Sequence, residues 1–122
     1  MARTRSNAEG NARARRSTRL STSRLKALVE EATVDAYNEA EQAAGFFTMM
    51  EDNLRLPFET EMMGFKVTVG RVDMTGDDAI VAICKRGCKR QTVSILDLPL
   101  PSPPPEGAEW IAAYKYWRRG SQ

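Results

Sequence analysis

Residues 58–69, "FETEMMGFKVTV", are the stretch that decides the fold. Upstream of it, apolar residues recur at the 3.6-residue spacing of helices, whereas within it they alternate with polar residues at the spacing of strands. Phe65, Val67 and Val69 fall on one face, and Gly64 interrupts the alternation as a turn. The pattern therefore predicts two short antiparallel strands joined by a tight hairpin.

Two further strands are predicted downstream. Residues 79–84, "AIVAIC", form a nearly continuous apolar run that is typical of a central strand. Residues 91–96, "QTVSIL", predict a fourth strand, and Gly87 can take the positive φ that a hairpin turn between the two requires. Four short strands with tight turns favour a small curled antiparallel sheet or barrel.

Helical patterns flank this region. A stripe of Leu25, Leu28, Val29 and Ala32 predicts a helix that begins near Ser23 and continues to residue 45, where a glycine ends or bends it. A second short helix is predicted over residues 46–54. The fold class expected is α+β, with N-terminal helices followed by four or five antiparallel strands and a C-terminal helix.

A proline-rich segment separates the last strand from the last helix. It holds five prolines between Pro99 and Pro105, so it cannot form a helix or a central strand. Such a segment can be a ligand for SH3 or WW domains, but its position between two elements favours a structural strap. In the final helix, Trp110, Tyr114 and Trp117 share one face, and we expect them to dock that helix on the sheet rather than to stack bases.

Composition excludes several kinds of chemistry. The chain has no histidine, which removes Ser–His–Asp and Cys–His catalysis and the commonest zinc ligand. Two cysteines, Cys84 and Cys88, are too few for a zinc site of their own or for a secreted disulfide framework, so a cytoplasmic protein with reduced thiols is expected. No nucleotide-binding glycine motif occurs, and we expect no enzymatic activity. Without an apolar run of roughly 20 residues, no membrane partner is expected.

Charge divides the 122-residue chain into two parts. Residues 1–26 hold eight Arg or Lys and one acid, whereas residues 27–122 hold fifteen acids and ten bases. We predict a disordered basic tail over residues 1–22 and a single domain over residues 23–122. The tail is either an arm for nucleic acid or another anionic surface, or only a solubilising segment.

Residues 72–79, "VDMTGDDA", place Asp73, Asp77 and Asp78 in one short loop. Carboxylates on a flexible loop can bind Ca²⁺, which takes six to eight oxygen ligands. The spacing does not fit an EF-hand, since the sixth position from Asp73 is an aspartate and the twelfth is Cys84. Taken alone, such a loop is more often a solvated turn between strands.

A second group of acids lies in the first predicted helix. Asp35 and Glu39 are one helical turn apart in "DAYNEAEQ", and like charges at that spacing oppose helix formation unless a cation or solvent screens them. An acidic body without histidine suits hard cations rather than zinc or copper. Each acidic pair could equally be a solvent-facing surface feature.

Several segments together resemble a bacterial family of small calcium-binding proteins, named after the calcium-binding protein of heterocyst-forming cyanobacteria. They are "EEATVDAYNEAEQAAGFFTMMEDNLRLPFETEMMG", "VTVGRVDM", "IVAICKRG" and "ILDLPLPSPPPEGAEWIAAYKYW", and they run from about Glu30 to Trp117. The resemblance implies an SH3- or Sm-like barrel and Ca²⁺ held by surface carboxylates. The metal-binding residues that the resemblance and the acidic loop together suggest are Asp35, Glu39, Glu41, Asp73, Asp77 and Asp78.

Two functions follow as hypotheses. The first is a non-enzymatic calcium-binding protein that acts as a buffer or sensor. The second is a small-barrel module that binds nucleic acid or a protein through its tail and its basic hairpin. The basic residues assigned to this second function are Arg13, Arg15, Arg16, Arg19, Lys85, Arg86, Lys89 and Arg90.

Overall fold

A computed structural model describes residues 20–120, and it confirms the α+β class. In chain order the elements of this part are α1 (Thr22–Ala32), α2 (Glu39–Asn53), β1 (Phe58–Met62), β2 (Phe65–Met74), β3 (Ile80–Arg86), β4 (Lys89–Ser94) and α3 (Ala108–Gly120). The predicted basic tail lies outside the described residues up to position 19, and with it lie Arg13, Arg15, Arg16 and Arg19.

The four strands form an open antiparallel sheet in the order β1-β2-β3-β4. The expected SH3- or Sm-like barrel is therefore not closed within residues 20–120, because β1 and β4 stand at opposite edges. After β4, the chain leaves the sheet as the proline-rich strap. The Thr60 hydroxyl of β1 donates a 2.8 Å hydrogen bond to the carbonyl oxygen of Pro99, so the strap contacts the opposite edge strand.

Strand β2 is twice as long as predicted. A bulge shifts its side-chain alternation by one residue, and the strand continues beyond it. Val67 and Val69 face the core, and Val72 does so again after a register shift between Val69 and Arg71. The extra residue is Gly70, which bends the strand without a side chain to accommodate. Three buried valines spaced by two and then by three residues thus remain on one face of the sheet.

The prediction of one helix from Ser23 to Gly45 is wrong. Helix α1 begins at Thr22, where the Ser21 side chain caps it, and ends at Ala32. A turn follows, in which Asp35 has a left-handed φ of 62°, and α2 begins only at Glu39. Gly45 lies inside α2, and it is the point at which the end of α1 crosses that helix.

One cluster of buried residues joins the three helices to the sheet. Phe46 of α2 packs edge-on against Tyr114 of α3, with ring centroids 5.6 Å apart, and lies 5.3 Å from the Trp117 ring. The Trp117 indole N–H donates a 3.1 Å hydrogen bond to the side-chain oxygen of Gln42. Tyr114 and Trp117 of the last helix therefore dock α3 on α2, where docking on the sheet was predicted.

The strap is tied to the fold again at its far end. The backbone N–H of Arg55 donates to the Glu106 carbonyl oxygen at 2.8 Å, directly after α2. Among the described residues, none of the helices combines the length and the hydropathy that crossing a bilayer would need.

Candidate metal centre

The acidic loop between β2 and β3 is a compact hairpin connection. The backbone N–H of Thr75 donates to the Ala79 carbonyl at 2.8 Å, and the Asp78 N–H donates to the Thr75 carbonyl at 3.1 Å. Asp78 has a φ of 66°, the left-handed conformation that ends a three-residue hairpin loop of this kind. Aspartate tolerates that conformation better than most residues, which explains one of the three acids without reference to metal.

Asp73 was predicted to share this loop, but it lies within β2 and pairs with Val81. Both its carboxylate and that of Asp77 in the loop already accept hydrogen bonds. One oxygen of Asp73 accepts from the backbone N–H of Met74 at 2.9 Å, and the other lies 4.0 Å from the Arg71 guanidinium. The Asp77 carboxylate accepts a short hydrogen bond from the Thr75 hydroxyl. Asp77 and Asp78 are exposed, so water and ions reach both side chains.

The hydrogen bond from Thr75, with help from the backbone N–H of Asp77, holds the pKa of the Asp77 carboxyl below its ordinary value of 3.8. Because the pKa is lower in the folded state, the loop gains stability above pH 3.8 and loses it as pH falls through the lowered pKa. Replacing Thr75 with valine should raise the pKa of Asp77 toward its ordinary value. An NMR titration of the Asp77 carboxyl carbon measures this, and Thr92→Val on the exposed surface of β4 is the control that should leave it unchanged.

The second acidic group does not form the helical pair that its spacing predicted. Asp35 lies in the turn after α1, while Glu39 and Glu41 lie in the first turn of α2. Acids in that position interact favourably with the positive end of the helix dipole, so their charge has a structural role without a cation.

Glu41 has a further structural role that the sequence analysis missed. The Asn38 side chain accepts a 2.8 Å hydrogen bond from the Glu41 N–H, and the Glu41 carboxylate accepts one of 2.7 Å from the Tyr37 N–H. This is a variant of the capping box, with the glutamate three residues after the N-cap. The spacing of Asn38 and Glu41 was the signal that could have located the start of α2.

Carboxylate oxygens are the right donors for a hard cation, but the fold does not bring many of them together. Within residues 20–120, no three acidic, cysteine or histidine side chains are grouped closely enough to hold one metal ion. The acidic loop and the acids around α2 therefore remain separate candidates. A cation at either one would need backbone carbonyls or water for most of its ligands.

The basic hairpin also differs from a simple charged loop tip. Lys85 and Arg90 are cross-strand partners, as are Arg86 and Lys89. Cys84 is buried in β3 as a small apolar residue, and burial raises the pKa of its thiol, while Cys88 is exposed at the turn. The two sulfur atoms therefore lie in different environments and do not make a shared site.

The comparison with protein families places most of the chain in a known class. The family model described as calcium binding, Calci_bind_CcbP, matches residues 26–118. The chain therefore belongs to this family of calcium-binding proteins, which confirms the resemblance seen in the sequence. The ion that the family binds is Ca²⁺. No curated protein and no solved structure matches the chain.

Proposed function

We propose that this protein is a non-enzymatic calcium buffer or sensor that binds Ca²⁺ through surface carboxylates. The observation that carries the proposal is the family match over residues 26–118, which includes both acidic groups. The chemistry agrees, since the available ligands are carboxylate and carbonyl oxygens rather than imidazole or thiolate.

The principal site in this proposal consists of Asp77 and Asp78 in the loop and Asp73 near the end of β2. Asp35, Glu39 and Glu41 form the second. Calcium at the loop has to compete with the Thr75 hydroxyl for Asp77. Since affinity depends on the number of charged ligands and on the rigidity of the site, we expect weak binding, with a Kd of about 10⁻⁴–10⁻³ M.

Isothermal titration calorimetry and NMR together test the proposal. Wild-type protein should release or absorb heat with millimolar Ca²⁺, and the Asp77 and Asp78 amide signals should shift. The double variant Asp77→Asn and Asp78→Asn should weaken binding at least about tenfold, because it removes two charged ligands. Asp52→Asn is the matched control, since Asp52 is an exposed acid at the end of α2, outside both groups.

Two results would contradict the proposal. One is the absence of any heat or chemical-shift change at millimolar Ca²⁺. The other is unchanged affinity in the double variant, which would move the site away from the loop. Shifts confined to the loop would indicate a buffer, whereas shifts that spread into α2 and the strap would indicate a sensor.

The absence of a catalytic role is part of the same proposal. A cavity of about 740 Å³ lies between the strap, α1 and α3, and its lining is largely leucine, alanine and proline. Ser102, Glu109 and Lys115 also line it, but no hydrogen bond joins the Ser102 hydroxyl to either side chain to activate it as a nucleophile. The cysteines are free rather than joined, which supports a cytoplasmic location.

A further inference from the structure

The two turns at one end of the sheet form a surface that the calcium-binding function does not use. The β1–β2 turn precedes β2 and the β3–β4 turn follows β3, and the pairing of Thr68 with Lys85 places these two strand ends side by side. We call residues 63–66 and 85–90 the basic tip. The acidic loop lies at the opposite end of the sheet, because it joins the other ends of β2 and β3.

Two large apolar side chains are exposed at the basic tip. Met63 lies in the β1–β2 turn and is 93% exposed. Phe65 is the first residue of β2 and is 49% exposed. Met63 has a φ of 53° and Gly64 a φ of 81°, the pair of positive angles found in a two-residue hairpin turn. Asparagine is the usual residue before glycine in such a turn, so the fold does not explain a methionine here.

The basic tip also carries a concentrated positive charge. Its ten residues include five Lys or Arg and no Asp or Glu. The Arg86 guanidinium lies 3.9 Å from the centre of the Phe65 ring, which holds a cation and an aromatic ring together at the surface. One acidic residue pairs directly with a residue of the tip: Glu61 of β1 lies opposite Lys66. The five cations of the tip are Lys66, Lys85, Arg86, Lys89 and Arg90.

We propose that the basic tip docks on membrane surfaces rich in anionic lipid. Interfacial binding has two elements. Apolar side chains enter the boundary between headgroups and acyl chains, and the cations around them attract anionic headgroups. Phosphate contacts of a nucleic acid would need only the cations, whereas interfacial binding uses the cations and Met63 together. A symmetric second copy of the chain would bring the same cations against each other. Binding of this kind needs no segment that spans a bilayer, so it agrees with the lack of a long apolar run.

Cys88 provides a reporter inside the basic tip. It is exposed, whereas Cys84 is buried, so a polarity-sensitive fluorophore can be attached to Cys88 in the folded full-length chain. Mixed phosphatidylcholine–phosphatidylglycerol vesicles should shift the emission of the label to the blue and raise its intensity. Vesicles of pure phosphatidylcholine should produce a much smaller change, because they offer the cations no anionic headgroups.

The decisive variant is Met63→Asn. Asparagine is favoured at this turn position, so the fold should be retained or slightly stabilised, while vesicle partitioning should fall about tenfold with the loss of one apolar side chain. Met63→Leu is the matched control and should partition like the wild type. Lys89→Glu should lower partitioning roughly thirtyfold at low salt and less at high salt.

Four results would overturn the proposal. Wild-type partitioning of Met63→Asn would show that the apolar side chain is not inserted. Vesicle binding without an emission change at Cys88 would place the contact elsewhere on the chain. Tighter binding to a DNA oligonucleotide, reduced by Lys89→Glu but not by Met63→Asn, would assign the tip to nucleic acid. An emission change that depends on protein concentration alone would assign it to self-association.

Discussion

Replacing Gly107 with alanine is expected to cost about 2–5 kcal/mol of the free energy of unfolding. A Cβ at this position would lie 2.2 Å from the Asn53 carbonyl oxygen and 2.6 Å from the Leu54 Cα. Both contacts are with backbone, so no side-chain rotation can relieve them. The φ of 89° adds a conformational cost of roughly 1–2 kcal/mol for any residue with a Cβ, and the overpacking adds about 1–3 kcal/mol or more.

Urea unfolding measures this loss, and a second glycine separates its two causes. Gly64 has a similar φ of 81°, but a Cβ there would meet nothing within 4 Å. Gly64→Ala should therefore lose only the conformational part, roughly 1 kcal/mol. Equal losses in the two variants would mean that the strap does not approach the end of α2 as closely as described. A changed slope against urea would point instead to an altered denatured state.

The sequence predicts the parts of this fold whose signals are local. The alternation at Phe65, Val67 and Val69 located the start of β2, and the aromatic face of the last helix was recognised from spacing alone. The continuation of β2 to Met74 was missed because a bulge shifts the alternation by one residue. A pattern that assumes a strict period of two ends at Gly70, although the strand does not.

The partners of each element are set by contacts that sequence periodicity does not record. The strap contacts β1 through Thr60 and Pro99, which are far apart in the sequence. The predicted partner of Tyr114 and Trp117 was wrong for the same reason, since aromatic side chains fit a helix or a sheet equally well. The acids in "DAYNEAEQ" were placed on one helix because the capping signal of Asn38 and Glu41 was overlooked.

The candidate metal site was predictable in composition but not in arrangement. Asp77 and Asp78 lie where expected, in the loop between β2 and β3, whereas Asp73 lies within β2 and pairs with Val81. The hydrogen bonds that two of these carboxylates accept depend on backbone and side-chain geometry that their spacing leaves open. The family match adds the ion, and the titrations of the asparagine variants address which residues bind it.

Gly45→Ala should reverse the usual effect of this substitution in a helix. Alanine normally stabilises a helix interior by roughly 1 kcal/mol relative to glycine. Here the added Cβ would lie 2.0 Å from the carbonyl oxygen of Ala32, at the last residue of α1. The helices would have to separate, and we expect a loss of about 3 kcal/mol in the free energy of unfolding, measured by urea denaturation.

The neighbouring Ala44 calibrates the helix contribution. It is exposed on the same helix, so Ala44→Gly should cost only the propensity difference of roughly 1 kcal/mol. Because Gly45 sets the distance between α1 and α2, its substitution should also shift the amide signals of the turn that carries Asp35, while those of the acidic loop between β2 and β3 stay in place. If Gly45→Ala were instead more stable than the wild type, the close crossing of α1 and α2 would be wrong. The position of Asp35 relative to Glu39 and Glu41 would then be wrong as well.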